Sequence, residues 1–440
     1  MADPAHLSTG PDAGVVELCS RLIRFDTSNY GAGEAAGERE AAEFVAAELS
    51  RFDPVLLESA PRRANVVARV PGLDRTAPAV LVHGHLDVVP AVAAEWTVPP
   101  FAGEVRDGYL WGRGAVDMKD MCAMTLSVVR SWAARGVRPR RDVVLAFVAD
   151  EEVTGELGAR WLVAEHPSLF DGCAVGISET GGYTFGVDGV RLYPIAAAER
   201  GIMHLRLEAT GRAGHGSRPN PANAVTALVD TVSRLAAHQW PIHLTPVVRA
   251  YLEQAGAALG VHVDDSDLDG TIAKLGRAGI LAEGVVRNTV TPTMLRAGYK
   301  VNVIPAAAEA NLDVRVLPGT AGELLSTVDS LLAPGVTRTF VERTEPVSAP
   351  VDSPWFAAMA DALRAEDPAA VVVPYCMGGG TDAKAFAKLG IAGYGFAPLL
   401  LPTDPDEYDY RAMAHGVDER VPLSALPFGA RVLDRFLLIA

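Results

Sequence analysis

Cysteine is nearly absent. The 440 residues include four, Cys19, Cys122, Cys173 and Cys376, widely spaced and without a C-x-x-C pair. That argues against a disulfide framework and a thiolate zinc site, and it fits a reducing, cytoplasmic setting. Long apolar runs are missing too: none reaches the ~18 residues needed to span a bilayer. The opening M-A-D-P-A-H-L-S-T-G-P-D has no basic stretch followed by an apolar one, which speaks against a secretory signal. Positive charge is outweighed, 39 Lys and Arg facing 54 Asp and Glu, for a net charge of −15 spread over both halves. Such a balance favours solubility and disfavours attraction to nucleic acid or anionic membrane, although a local Arg or a metal can still bind an anion. There is no internal repeat and no low-complexity tract.

What is present fits a soluble α/β protein: 49% of residues are hydrophobic and 7% aromatic. At about 100–200 residues per domain, the length predicts two or three domains. Helical spacing runs through 14–52 in two segments broken at 27–31. The apolar run 79–82 leads directly into His83-Gly84-His85-Leu86-Asp87, and Val143–Val148 leads into Asp150-Glu151-Glu152, so two buried strands each deliver polar residues at their C-terminal ends. Helices are expected over 118–134 and from 158, an alternation that points to a mostly parallel sheet with its ligands beyond the carboxyl ends of the strands.

After about Ala196 the pattern changes. A strand at 203–207 precedes the loop Gly211-Arg212-Ala213-Gly214-His215-Gly216-Ser217-Arg218-Pro219, then a helix over 222–237, a strand at 310–316, a helix over 321–332 and a strand at 336–341. Residues 240–300 are harder to read. The expected organisation is an α/β catalytic domain from 1–196 and 346–440 with a two-layer α+β insertion over 197–345.

His85 and Asp87 stand two apart at a strand end, a spacing that lets Asp87 hold the ring nitrogen turned away from a metal; the alternative is a solvated loop. Asp117 follows two glycines at the mouth of a helix, where its two oxygens can bridge two ions or its side chain can simply cap the helix. In Asp150-Glu151-Glu152 three acids crowd one strand end and repel unless cations or protons intervene. One Glu as ligand and the other as general base explains this; an exposed acidic turn is the bland alternative.

The ordered set H-G-H-L-D-V-V-P, P-P-F-A-G, G-R-G-A-V-D-M-K, D-E-E, S-E-T-G-G, G-H-G-S-R-P, N-V-I-P, D-V-R, G-G-G-T-D-A and H-G-V-D-E-R spans residues 83–420. It resembles the di-zinc amidohydrolase family of aminoacylase, carboxypeptidase G, carboxypeptidase S and succinyl-diaminopimelate desuccinylase. The resemblance implies two zinc ions per subunit, with cobalt or manganese as alternatives, held by His85, Glu179, Glu152 and His415 and bridged by Asp117. It implies that Glu151 is the general base and Asp87 the orienting acid.

It further implies that the insertion is a lid through which the chain forms a homodimer, with His215 reaching the partner subunit's active site to stabilise an oxyanion. Without the family, a His in a Gly-rich loop reads as a surface residue. Asn302 and Arg315 resemble substrate-holding lid residues, Arg315 being equally open to a structural salt bridge. Gly379, Gly380 and Thr381 lie in a loop resembling one on the substrate side.

Two departures are visible: Asp120 stands where the family often has Gly, and 240–300 is longer than in the minimal lid, closest to the carboxypeptidase S and aminoacylase branch. The expected substrates are N-acyl amino acids or short peptides with a free carboxylate. Acetylornithine deacetylase and succinyl-diaminopimelate desuccinylase activities are runners-up, and a non-catalytic metal-binding homologue or a dimerising scaffold are readings of another class.

Overall fold

In the computed structural model, residues 9–31 and 33–440 are described. The first eight residues, part of the stretch read against a secretory signal, lie outside the described residues. Strands Ala79–His85 and Val143–Val148 are buried along their whole length. They pair in parallel, Val80 opposite Val143 and His85 opposite Val148. Strand Cys173–Ser178 lies parallel on the other side of Ala79–His85, with Val82 opposite Ile177. An unbroken apolar run, with no polar alternation, is what burial on both faces requires.

These three strands form the middle of a ten-stranded sheet. Around them the pairing is mixed. Arg63–Val70 runs antiparallel to Val143–Val148, Val55–Ala60 antiparallel to Arg63–Val70, and Val190–Glu199 is parallel to Val371–Met377 but antiparallel to Phe185–Val187. The sheet is therefore mixed and not mostly parallel, with parallel pairing at the centre, between Ala392–Gly395 and Cys173–Ser178, and between Val190–Glu199 and Val371–Met377. Strand-and-helix alternation, from which a mostly parallel sheet was expected, covers that centre alone. Helix Lys119–Arg135 packs between the sheet and helices Val15–Ile23 and Ala425–Ile439, and ends at Gly136, whose φ of 65° suits a residue without Cβ. Among the described residues no helix is long and apolar enough to cross a membrane.

A second, four-stranded antiparallel sheet has the order Thr289–Ala297, Ala307–Val316, Gly201–Thr210, Val336–Thr344. Gly201–Thr210 alternates strictly: Met203, Leu205, Leu207 and Ala209 are buried with Leu228 and Leu235 of helix Ala224–Ala237 and Leu324 and Val328 of helix Ala321–Leu331. Sheet and helices make two layers. The stretch between does not join them. Helix Pro246–Leu259 places Val247, Val248, Tyr251 and Leu252 in the large core, as do Leu275, Ala282 and Val286 further on, against strand Val371–Met377. Residues 246–286 thus return to the ten-stranded sheet, although the sequence reading kept them within 197–345. Amphipathic spacing shows that a helix has an apolar face, not which core the face meets.

Candidate metal centre

Because the three central strands are parallel and in close register, their C-terminal ends open at one edge of the sheet. His85 closes the first, Asp150, Glu151 and Glu152 follow the second, and Glu179 follows the third. Asp117 comes in from the loop before helix Lys119–Arg135, and His415 from 298 residues further along the chain (415 − 117). Two triads result, His85, Asp117, Glu179 and Asp117, Glu152, His415, each with its donor atoms within 4.8 Å of one another. Asp117 is common to both. Its Oδ1 lies 3.1 Å from His85 Nε2 and its Oδ2 3.1 Å from His415 Nε2. Glu179 Oε2 is 3.7 Å from His85 Nε2, and Glu152 Oε2 is 3.1 Å from His415 Nε2.

The supports explain this convergence. His85 Nδ1, turned away from the cluster, sits 2.9 Å from the backbone carbonyl of Asp87 and 3.7 Å from its carboxylate. The orienting contact expected of the Asp87 carboxylate is therefore made by its carbonyl. The carboxylate instead accepts the N–H of Glu151 (3.1 Å), the N–H of Glu152 (3.2 Å) and the side-chain amide of Asn29 (3.0 Å). It anchors the acid-bearing turn, where free N–H groups attract it more strongly than an imidazole already served.

Asp150 points inward, to Arg63 Nη2 at 3.0 Å and Asn29 Nδ2 at 3.1 Å, and Arg63 also pairs with the buried Glu38. Only two of the three crowded acids therefore face the site. Glu152 is further fixed by Val89, whose N–H donates to its Oε1 at 3.2 Å.

A contact invisible from sequence spacing binds the Asp117 loop to the His415 segment. Glu419, fully buried, accepts the N–H groups of Gly114 (3.0 Å), Val116 (2.8 Å) and Asp117 (3.2 Å), and an Arg113 N–H at 2.7 Å. The glycines serve this fit: Gly114 has φ of 87°, and a Cβ there would come within 2.9 Å of Val88. Glu419 lay in view within H-G-V-D-E-R, with Arg113 in G-R-G-A-V-D as its complement, but nothing local paired them. Asp150, Thr180 and His415 all have positive φ without being Gly, and each is at or beside a cluster residue, where backbone strain commonly gathers.

Electrostatics point to cations. Burial, with Glu179 nearby, pushes Glu151 well above the usual carboxylate range, and burial with Asp117 nearby raises Glu179 to about 7. Burial also raises Glu152. Against its own burial, Asp117 is held far below the usual range by hydrogen bonds from His415 and His85. Hydrogen bonds to Asp117 and Glu152 lift His415 to about 10. Four carboxylates and two imidazoles thus carry excess negative charge that protons or metal ions must offset. Oxygen and nitrogen donors without thiolate suit zinc, cobalt or manganese. Asp120, the departure noted at the helix start, is buried close by with neither carboxylate oxygen partnered among the described residues.

The other candidates lie apart. His215 is exposed, pairs across strands with Val303, and its Nδ1 contacts the Ser217 hydroxyl at 2.9 Å. Asn302, also exposed, accepts the Gly216 N–H at its carbonyl, 3.0 Å away. No contact joins either to the acid–histidine cluster among the described residues. Arg315 makes a two-point ion pair with Asp313, 2.7 and 3.1 Å. It stands opposite Ile202 in the four-stranded sheet. Thr381 donates its N–H and its hydroxyl to the buried Glu199, at 2.9 and 2.6 Å. Gly379 and Gly380 precede it, the latter so close to Lys384 that a Cβ would meet Nζ at 2.1 Å.

Comparison with known proteins shows the family. Residues 81–439 match peptidase family M20/M25/M40. The chain is 26% identical over 450 residues to the N-fatty-acyl-amino acid synthase/hydrolase PM20D1 of Mus musculus, covering 95% of this chain and 86% of that protein. It is 30% identical over 375 residues to aminoacylase-1 of Pongo abelii, covering 82% and 83%. The M20 family metallo-carboxypeptidase Sso-CP2 of Sulfolobus solfataricus shares the fold, with a TM-score of 0.70 at 18% identity over 97% of this chain and 98% of that one. The family and these relatives define a metal-dependent hydrolase of amide bonds. The chain belongs to peptidase family M20/M25/M40, as its motifs led us to expect.

Proposed function

We propose that this hydrolase cleaves the amide bond of N-acyl amino acids or short peptides bearing a free carboxylate, using two zinc ions. The observation that carries the reading is the divided role of Asp117, whose two oxygens each face a different histidine-containing triad. His85 and Glu179 would hold one metal and Glu152 and His415 the other, with Asp117 offering an oxygen to each. Bound there, the metals supply Lewis-acid polarisation of the scissile carbonyl and lower the pKa of water. Glu151, half-buried on the same turn as Glu152, takes the proton of the attacking water and returns it to the leaving amine. Asp87 fixes Glu151 and Glu152 through their backbone N–H groups.

The substrate class draws on relatives whose names specify acyl-amino-acid chemistry. Arg315, a planar fork suited to a carboxylate, and Asn302 are its proposed holders, with the Gly379-Gly380-Thr381 loop on the same side. We assign the four-stranded sheet and its two helices to a dimerising lid within the 197–345 insertion, and His215 to the partner's oxyanion. Support comes from the outer strand Thr289–Ala297 and the loop after it, where Met294, Leu295, Tyr299 and Val301 are 46%, 53%, 81% and 104% exposed. An apolar edge strand left open invites pairing with a second copy. Four unpaired thiols accord with a cytoplasmic location.

The test is Glu151→Gln assayed for metal content and for turnover of N-acyl amino acids beside their C-terminal amides. Normal metal with turnover lowered about 10²–10⁴-fold supports the base. Full turnover in the variant, or equal rates on acid and amide in the parent enzyme, overturns the corresponding assignment.

A further inference from the structure

Two cavities flank the acid–histidine cluster, and their walls differ in kind. One is a chamber of about 360 Å³ whose floor includes Asp117 and Glu179 and whose walls are Tyr183, Ile280, Leu281, Val285, Tyr375 and Tyr410. Tyr183 and Tyr410 stack at 4.2 Å, and the Tyr375 hydroxyl is tied to the Thr180 carbonyl at 2.7 Å, so the aromatic side is fixed. Arg200, in its lining, donates to Gly284 O and, at 2.7 Å, to the Thr289 hydroxyl, and Arg411 is exposed. The other is a polar cleft of about 100 Å³ whose lining includes Glu151, Arg160, Glu342, Thr381, Asp382 and Lys384, with Ile202 on the side of the four-stranded sheet. Residues directly opposite in a sheet share a face, so Arg315 lies on the same face of the four-stranded sheet as Ile202, with its guanidinium on Asp313.

We propose that the chamber receives the acyl half of the substrate as an apolar chain, that the carboxylate-bearing half lies in the cleft, and that residues 280–285 set the length of chain accepted. The orientation rests on the reading of Glu151 as general base. Hydrolysis breaks the C–N bond, joins the water oxygen to the acyl carbon and hands the proton to nitrogen. The leaving amine must therefore lie on the side of Glu151, which lines the cleft, and the acyl group on the opposite side, where Asp117 and Glu179 open into the chamber.

The wall 280–285 belongs to the stretch that returns from the insertion to the large core. Arg200 pins it in place through Gly284. At roughly 30 Å³ for each water-sized group, the chamber holds on the order of ten carbons.

The experiment measures kcat/KM for N-acetyl, N-butyryl, N-octanoyl and N-hexadecanoyl derivatives of one amino acid. With the parent enzyme, each added methylene raises kcat/KM about three- to fourfold up to the medium chain, and the longest chain falls away. A Cβ at Gly284 meets nothing within 4 Å, so Gly284→Phe is expected to lower the octanoyl-to-acetyl ratio at least tenfold. Ile280→Trp, at a position 45% exposed, is the second variant. A flat chain-length profile in the parent enzyme overturns the proposal whatever the variants do. So does a variant effect that follows the size of the amino-acid side chain and not the acyl chain, since that would put the amine half in the chamber. Failure of the base assignment reads out separately, as full turnover in Glu151→Gln with the chain-length profile unchanged.

Discussion

The two sheets handle their polar residues in opposite ways. In the ten-stranded sheet, His85, Glu152 and Glu179 all leave parallel strands at the same edge and meet around Asp117. In the four-stranded sheet, strands run antiparallel, so strand ends alternate between edges; Arg315 lies on its face, while His215 and the backbone of Asn302 sit together on a separate two-stranded ladder, away from Arg315. Parallel pairing concentrates chemistry; antiparallel pairing distributes it and leaves outer edges for contact with other molecules. The first sheet can form a complete site within one chain. The second can contribute only from its rim.

The sharpest way to break this contrast is to remove the residue on which the converging strands depend. Asp117→Ala deprives both triads of a donor. Bound metal should fall below one ion per chain, and turnover of an N-acyl amino acid should drop at least roughly 10³-fold, several kcal/mol of transition-state stabilisation. Elemental analysis beside steady-state rates checks both, and retention of two ions would show that Asp117 is not shared.

Next in size is the buried frame behind the cluster. Arg63 pairs with Glu38 at 2.9 Å and Asp150 at 3.0 Å, with side chains 9%, 0% and 7% exposed. Arg63→Met strands two buried carboxylates and should cost about 3–5 kcal/mol in urea unfolding; a loss under 1 kcal/mol would show that the frame carries little.

His215→Ala probes the rim. The side chain is exposed, so unfolding should be unchanged while kcat falls roughly 10²–10³-fold, as for loss of an oxyanion donor. Mixing this variant with Glu151→Gln subunits sharpens the point. If His215 acts across a dimer, the mixed dimer holds one intact site and activity returns; if it acts within its own chain, none returns.

Much of the centre was legible because apolar runs ending in His85 and in Asp150-Glu151-Glu152 announce strand ends, and a strand end fixes where its next residues point. Pairings distant in sequence were not. Glu419 organises the Asp117 loop through Arg113, 306 residues earlier, and no local pattern connects them. The turn after His85 sets the carbonyl of Asp87 nearer the ring than its carboxylate, a detail below what two-residue spacing resolves. Residues 246–286 show helical periodicity whichever core they join. Glu419→Gln should weaken metal affinity about 10–100-fold, the usual cost of disturbing a support behind the ligands, with competition against a chelator as the measure.

The smallest effect belongs to the four-stranded sheet itself. Arg338 and Asp329 form a two-point ion pair, 2.6 and 2.9 Å, but the Asp329 side chain is 51% exposed. Water already solvates such a carboxylate, and ordering two flexible side chains offsets most of the attraction. Arg338→Ala should therefore cost less than about 1 kcal/mol in urea unfolding and leave turnover unchanged. Arg63 instead bridges two different carboxylates, both buried, so the two variants compare an exposed single pair with a buried double one. A loss as large as that of Arg63→Met would mean that the outer sheet is held by its ion pairs, and not by Met203, Leu205 and Leu207 against the two helices.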